Sequence, residues 1–444
     1  MTFHGTRRQH GAATLLVTMV FLFSTSLIML YLNRNILFEQ KISANQMRST
    51  IALEMAEAGM EWATGMLNTA YDIDGNCAFT VTANTSFRRK YVQTKWSDGA
   101  TPTTNIVPAT TTYPGCKVNG NVWTCNCPNL PVGAIGYTTA TLGSTTLPGF
   151  TVSFSSTGDP EAVRIMVTGC TAQVGACTPA TAASSDATAT ISSILKLRPL
   201  LRATPAAPLT CGSTCAIGGS FNLKNSDVAT GGILANSGTS ITGNITGPSI
   251  PGQPIANALI ENDTSLSTIS NADPTCSNSS MFSAYFGSTI SQYAASPMVK
   301  IIPDCSPANT CGTLVDTAYG AGWRSFYFPD GFSRNNSSGN LGTANDPVTM
   351  VTSAKFDVNG SIDIYGMVFS NSAVLNNLGT GASTIHGAMI TCAGYASNGN
   401  GTLEYDADVL KGVRRSTGIL VRVPGSWTDR CTASTAHPPD IICN

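Results

Sequence analysis

The chain has 444 residues, 42% of them hydrophobic and 11% charged, with a formal net charge of -1. That apolar share excludes a disordered chain and suffices for two or three packed cores, and near-neutrality excludes a general nucleic-acid binder, which needs a concentrated positive field to displace counterions from phosphates. Charged residues run at less than half the roughly 25% of ordinary soluble domains, a composition suited to an exported surface protein; the one compact basic run, "FRRKYVQTK" at 87–95, is too short to reverse this.

The first element follows "RRQHG". From Ala12 to Asn33 there is no charged residue, and 22 such positions make a helix of about 33 Å, enough to cross a hydrocarbon core. Leu15, Leu16, Val17, Phe21, Leu22, Leu27, Ile28 and Leu30 are the expected membrane anchor over residues 12–33. A cleavable secretion signal would have a shorter apolar core and a small-x-small site, which "NRNILFEQKISANQ" does not supply. Arg7 and Arg8 hold the N-terminus on the cytoplasmic side, so an inner-membrane, single-pass chain with everything beyond Asn33 outside is expected.

Helical character continues over residues 34–70. No proline precedes Pro102, and an apolar stripe runs through Ile51, Met55, Ala58, Trp62 and Met66 at helical spacing. Glu54, Glu57 and Glu61 share another face, a ridge that is either solvated or an assembly surface together with Ile51, Met55 and Trp62. Unbroken from 12 to 70, the helix would be about 88 Å long. "YDIDGN" at 71–76 supplies the turn that ends it; the same residues form half of a calcium loop, but residues 77–85 lack the acid needed to complete one.

A basic leader ending in Gly11, an uncharged apolar helix directly after it and a long amphipathic extension resemble the N-terminus of type IV pilins. "HGAATLLVTMVFLF" with "NQMRSTIALEMAEAGMEWA" is similar, over about residues 5 to 67, to the PilX group of minor pilins. The resemblance implies a leader at 1–11, cut after Gly11 by a prepilin peptidase, and N-methylation of Ala12. It also implies a non-enzymatic role without cofactor or metal in pilus assembly, adhesion and twitching motility. Other minor pilins, the major pilin and a tip adhesin are the implied partners, at the pilus or cell surface. Major pilins carry glutamate at the fifth mature position, where this chain has Leu16; that departure points away from the filament shaft and toward a low-copy position.

Residues 71–203 read as a first β-rich domain: alternating segments such as "NVWTCNC", "FTVSFSS" and "EAVRIMVTG" separated by turn residues, closed by "TPAAP" at 204–208. Residues 204–444 form a Gly/Ser-rich β region with a short repeat. "ITGNI" at 241–245, "IYGMV" at 364–368 and "IHGAM" at 385–389 share apolar-x-Gly-x-apolar, as strands of stacked coils do, so this region is either a β-helix-like solenoid or an antiparallel sandwich. Its tail, with "DADVLKGVRR" and "VRVPGSWTD", resembles the C-termini of larger PilX-like proteins. The fold class expected is α+β, a long N-terminal helix followed by a disulfide-rich, mostly β exported region.

All 14 cysteines lie beyond residue 76. "GCTAQVGAC" (Cys170, Cys177), "CGSTC" (Cys211, Cys215) and "CSPANTC" (Cys305, Cys311) would close small disulfide loops, with Cys431 and Cys443 in the tail as further candidates; a zinc site would want histidines beside the couples, and none is there. Motifs for nucleophilic, metallo- or phosphate chemistry are missing. A membrane-tethered β-helix that binds or cleaves polysaccharide, through Asp357, Asp363, Glu404, Asp406 or Asp408, is the competing class, and a type II secretion pseudopilin the neighbouring one. His386 sits in an expected strand, as a packed or surface side chain.

Overall fold

The computed structural model describes residues 11–69, 71–80, 86–95, 103–105, 113–128, 147–159, 161–171, 177, 187–296, 298–305, 311–335, 339–371, 382–397, 399–416, 418–429, 431–433 and 441–443. Helix α1 (Gly11–Leu67) runs unbroken for 57 residues. Every described side chain from Ala13 to Thr50 is exposed, and Ala13–Leu32 is apolar and long enough to span a bilayer.

Only the last five turns of α1 are seated on protein. The buried face is Ala52, Ala56, Met60, Ala63 and Leu67, with Met66 beside it, whereas Ile51, Met55, Ala58 and Trp62 of the expected stripe are half-buried. The reason is how close the helix comes to the sheet beneath. A side chain on Gly169 would collide with the α1 backbone at Ala52 and Ala56, and one on Gly59 would run into Phe150 and Val167. At such separation small residues take the contact face and larger ones flank it. Trp62 lies on that flank, 5.4 Å from Phe87 and 5.5 Å from Phe150 between ring centroids.

The head beneath begins with α2 (Phe87–Tyr91) and a short hairpin, β1 (Gln93–Lys95) and β2 (Thr103–Asn105). An antiparallel meander follows: β3 (Gly115–Asn119), β4 (Val122–Asn126), β5 (Gly149–Ser156), β6 (Ala162–Cys170) and β7 (Thr188–Arg198), in the order β7-β6-β5-β3-β4. Its inner side chains, among them Phe150, Val152, Val167, Ile191 and Leu195, make one core with α1 and α2. Cys77–Cys127 and Cys116–Cys125 staple the turn after α1 and the β3–β4 ladder, and Cys170–Cys177 closes a loop after β6.

Beyond the linker the pairing becomes parallel. The first coils are β8 (Leu209–Cys211), β9 (Cys215–Ile217), β10 (Asn222–Lys224), β11 (Ala235–Ser237), β12 (Ile241–Gly243) and β13 (Leu259–Ile260). Three short helices, α3 (Thr264–Ala272), α4 (Ser280–Phe286) and α5 (Ile290–Ala294), then carry the chain away. The next coils are β14 (Val299–Ile301), helix α6 (Cys311–Gly320), β15 (Ser325–Phe328), β16 (Phe332–Asn335), β17 (Val348–Thr352), β18 (Phe356–Asn359), β19 (Asp363–Ser370), β20 (Thr384–Thr391), β21 (Tyr395–Ser397) and β22 (Thr402–Tyr405).

The region is a solenoid, since its strand ladders pair in parallel and a sandwich would need antiparallel ones. The stack does not follow the chain. Its main face runs β14-β15-β17-β19-β20-β8-β11-β13, so the first coil stands in the middle and the last, β20, closes against it through Met389, Ile390 and Thr391 on Leu209, Thr210 and Cys211. The interior is filled by Phe326, Phe328, Phe332, Phe356, Ile364, Val368, Ile385 and Met389. The other side of the long strands is also buried: Met367, Phe369, Ala388 and Ile390 pack under Phe282, Phe286 and Tyr293 of the helical excursion. The two repeat copies at 364–368 and 385–389 stand in register, Gly366 beside Gly387, where a side chain at 387 would strike the Gly366 carbonyl.

Cys211–Cys215 and Cys305–Cys311 close small loops, and Cys276–Cys392 ties the helical excursion to the end of β20. After β22, helix α7 (Ala407–Ser416) leads to β23 (Ile419–Arg422), which pairs antiparallel with β7. The division at 203/204 therefore does not hold for the tail, because residues 419–422 return to the head and complete its sheet. A last ladder, β24 (Cys431–Ala433) with β25 (Ile441–Cys443), sets Cys431 directly opposite Cys443 in register.

Candidate assembly surface

Gly11 and Ala12 open α1 as its first residues, and the rest of the leader lies outside the described residues. Leu15, Leu16, Val17, Phe21, Leu22, Leu27, Ile28 and Leu30 are each 54–68% exposed. A bare apolar helix of this length needs either lipid or other helices around it.

Where α1 enters the head, Glu54, Glu57 and Glu61 stay exposed along one edge. With Ala58 and Met60 they form one wall of an open groove of about 460 Å³; Ile191, Arg422 and Trp427 form the other. Arg422 donates to Glu61 at 2.9 Å. Trp427 is 48% exposed, large for an indole in contact with a folded head. It is held there by its neighbours, since Thr428 exchanges backbone hydrogen bonds with Ser192 and the Ser426 hydroxyl accepts from Ile194 N–H. Sequence reasoning placed the acidic ridge but missed this wall; the signal was the tail "VRVPGSWTD", whose bearing on the helix depends on β23 returning.

The junction between head and solenoid is a second polar cluster. Arg324 grips Asp346 through Nε and an Nη at 2.7 and 2.8 Å, and Arg89 reaches the same carboxylate at 3.1 Å. Burial pushes the Asp346 carboxyl up, but the hydrogen bonds and charge of Arg324, with Arg89 and the Tyr319 hydroxyl, outweigh it and hold it below the usual range. Arg324 also stacks on Tyr319, 3.8 Å from its ring centroid. Tyr71 meets Trp323 edge to face at 5.0 Å, and Arg88 donates to the Gly418 carbonyl at 2.6 Å. Lys90 is buried with Nζ donating to the Cys127 carbonyl, and burial lowers it to about 8. Arg88, Arg89 and Lys90 of the basic run are thus engaged by partners within the protein.

Asp72 lies within this junction. It is 1% exposed, and neither carboxylate oxygen has a hydrogen-bond partner. Burial raises it to about 6, against the pull of Arg89 and Arg324. Asp74, in contrast, accepts from the backbone N–H groups of Asn76 and Ala78, as an Asx turn does. The two carboxylates of "DIDGN" do different jobs, and no three acidic, histidine or cysteine groups among the described residues gather around a metal position.

The carboxylates considered for polysaccharide chemistry fall into one pair around His386 and three with separate local partners. Asp363 stands 3.9 Å from Nε2 of His386 and Glu404 3.7 Å from Nδ1, on opposite edges of a ring that stacks on Tyr365 at 4.4 Å. Glu404 also faces Lys224 at 3.7 Å. Asp357 pairs with Lys355, Asp406 caps α7 by accepting from Asp408 and Val409 N–H, and Asp408 pairs with Lys411. Asp357, Asp406 and Asp408 are thus engaged by local partners, while Asp363 and Glu404 stand on either side of one imidazole.

A family model described as PilX N-terminal matches residues 10–61. No curated protein matches the chain. Among solved structures, the competence-associated pilin ComZ from Thermus thermophilus aligns at 10% identity over 86% of this chain and 97% of its own, with a TM-score of 0.20, a superposition too loose to bear on the fold. The matched segment is α1 from its first residue to the acidic ridge, the apolar length and the seated length together. Residues 10–61 of this chain are thus similar to the N-terminal segment of the PilX family.

Proposed function

We propose that this chain is a processed minor pilin that joins a type IV pilus, or the complex that initiates one, and contributes there to assembly, adhesion and twitching motility. The prepilin peptidase removes residues 1–11 and Ala12 becomes the methylated N-terminus. The chain waits in the inner membrane on residues 12–33 before its helix enters the filament core, beside the major pilin and other minor pilins. The observation that carries this reading is α1 itself, 57 residues without a break, bare over its first three-quarters and seated on a sheet at its end. A membrane tether alone needs only about 20 residues. Leu16 in place of an acid, and a solenoid larger than the head, both favour a low-copy position at or near the tip, against a tip adhesin, over repeated insertion in the shaft.

Mass spectrometry of the mature protein tests the proposal. The expected N-terminus is methylated Ala12, with the protein present in sheared pili. Replacing Gly11 by Val should leave an uncut chain confined to the membrane. An intact leader on the wild-type protein recovered from cells would refute the reading.

A further inference from the structure

Two outward rows of side chains cross the coils of the solenoid and meet an aromatic ring at one end. Ile364, Ile385, Leu403 and Leu223 share one register position and fill the interior, so the positions on either side of them point outward. One outward row is Tyr365, His386, Glu404 and Lys224; the other is Asn340, Asp363, Thr384, Thr402, Asn222 and Thr246. The second row crosses about 24 Å at the spacing of paired strands, and each of its members is half-buried or exposed. Tyr365 stacks on His386 at 4.4 Å. On the side away from His386 stands Gly342, level with Tyr365 because Leu341 bridges Ile364, and it sets no side chain against the ring. Asp363 lies beside this ring. Its N–H donates to Asn340 Oδ1 at 2.9 Å, and Asn340 Nδ2 reaches its carboxylate at 3.4 Å. His386 Nε2 is 3.9 Å off, so the carboxylate, 39% exposed, keeps acceptor sites for outside donors.

We propose that this face binds an extended, uncharged glycan, with one pyranose stacked on Tyr365 over Gly342 and its hydroxyls on Asp363. A pyranose presents a C–H face that suits the negative face of an aromatic ring, and two neighbouring hydroxyls can donate to one carboxylate. The row from Asn340 to Thr246 then offers a donor or acceptor at each coil to the sugars that follow. Asp363 at the ring repels uronates, sulfates and phosphates, which makes the preference one for neutral sugars. The inference deepens the adhesive role proposed above and rests on that reading for the setting in which the glycan is met; the site itself needs no leader cleavage.

The test uses the full chain in an ethylene-glycol ether detergent, which has no sugar headgroup to compete. Cellohexaose, mannohexaose and chitohexaose are the uncharged probes and hexagalacturonate the charged one, titrated by calorimetry, with saturation-transfer NMR to find the bound sugar protons. At least one uncharged probe should bind, with transfer strongest at ring C–H protons, and hexagalacturonate should bind about tenfold more weakly or not at all. Tyr365→Ala and Asp363→Asn should each weaken binding about tenfold, whereas Tyr365→Phe, which keeps the ring, should stay within about twofold. Tyr365→Phe and Asp363→Asn preserve shape, so the test stands even where Tyr365→Ala loses the coil. Wild-type protein that binds none of the uncharged probes, prefers hexagalacturonate, or binds equally well as Asp363→Asn and Tyr365→Ala overturns the inference and leaves the pilin reading intact. Protein that binds as expected but keeps its leader, scored by mass in the same samples, overturns the pilin reading and leaves the site.

Discussion

Asp72 offers the sharpest test of the junction. Its carboxylate is buried without a hydrogen bond, between two arginines already committed to Asp346, and burial raises it from 3.8 to about 6. An acid raised in the folded state opposes folding whenever it is ionised, so the penalty is full above pH 6 and is relieved as pH falls toward 4. From the two pKa values the penalty is about 3 kcal/mol at pH 7.5 and about 1 kcal/mol at pH 4.5. Asp72→Asn keeps the shape and removes the charge, so its stability relative to wild type should fall by about 2 kcal/mol between those two pH values. Urea unfolding of the full chain in detergent, followed by tryptophan fluorescence at several pH values, measures the difference; Trp323 reports on the junction itself. A wild-type-to-Asn gap that is flat with pH, or that widens on acidification, would show that Asp72 is solvated or paired and that the junction is not as described.

Removing the Cys276–Cys392 bridge with Cys276→Ser and Cys392→Ser should destabilise the solenoid by about 4 to 5 kcal/mol, from its sequence separation of 116 residues; a loss of under about 1 kcal/mol in urea unfolding would mean the helical excursion is held by packing alone. Gly169→Val should push α1 off the sheet at Ala52 and Ala56, costing about 1–3 kcal/mol and exposing residues 52–67 to limited proteolysis. Gly65→Ala, on the same helix with open space around it, should instead stabilise by roughly 0.5–1 kcal/mol in a thermal melt.

The parts legible in the sequence are those set by local rules. The uncharged run and the helix formers after it carried the length of α1, and "IYGMV" with "IHGAM" carried the register of two neighbouring coils, because a glycine recurs where one backbone presses on the next. Disulfides between near neighbours follow from short spacing, whereas Cys276–Cys392 depends on where α3 and α4 land and has no local trace. The face of α1 that meets the head is not its most hydrophobic one, because hydrophobicity marks Ile51 and Met55 while close approach to Gly169 selects Ala52 and Ala56. The groove wall from Arg422 and Trp427 and the Arg89–Asp346–Arg324 cluster join residues far apart in the chain. They exist only because the last coil closes on the first and the tail returns.

That return has a mechanical meaning. The chain crosses between head and solenoid twice, once after β7 on the way out and once before β23 on the way back, and those two strands lie side by side on the head sheet. A pull applied to the far end of the solenoid is therefore divided between two covalent tethers anchored in adjacent rows of hydrogen bonds. Neither tether can lengthen without the other, so under tension the solenoid swings less and the head is loaded across its sheet edge.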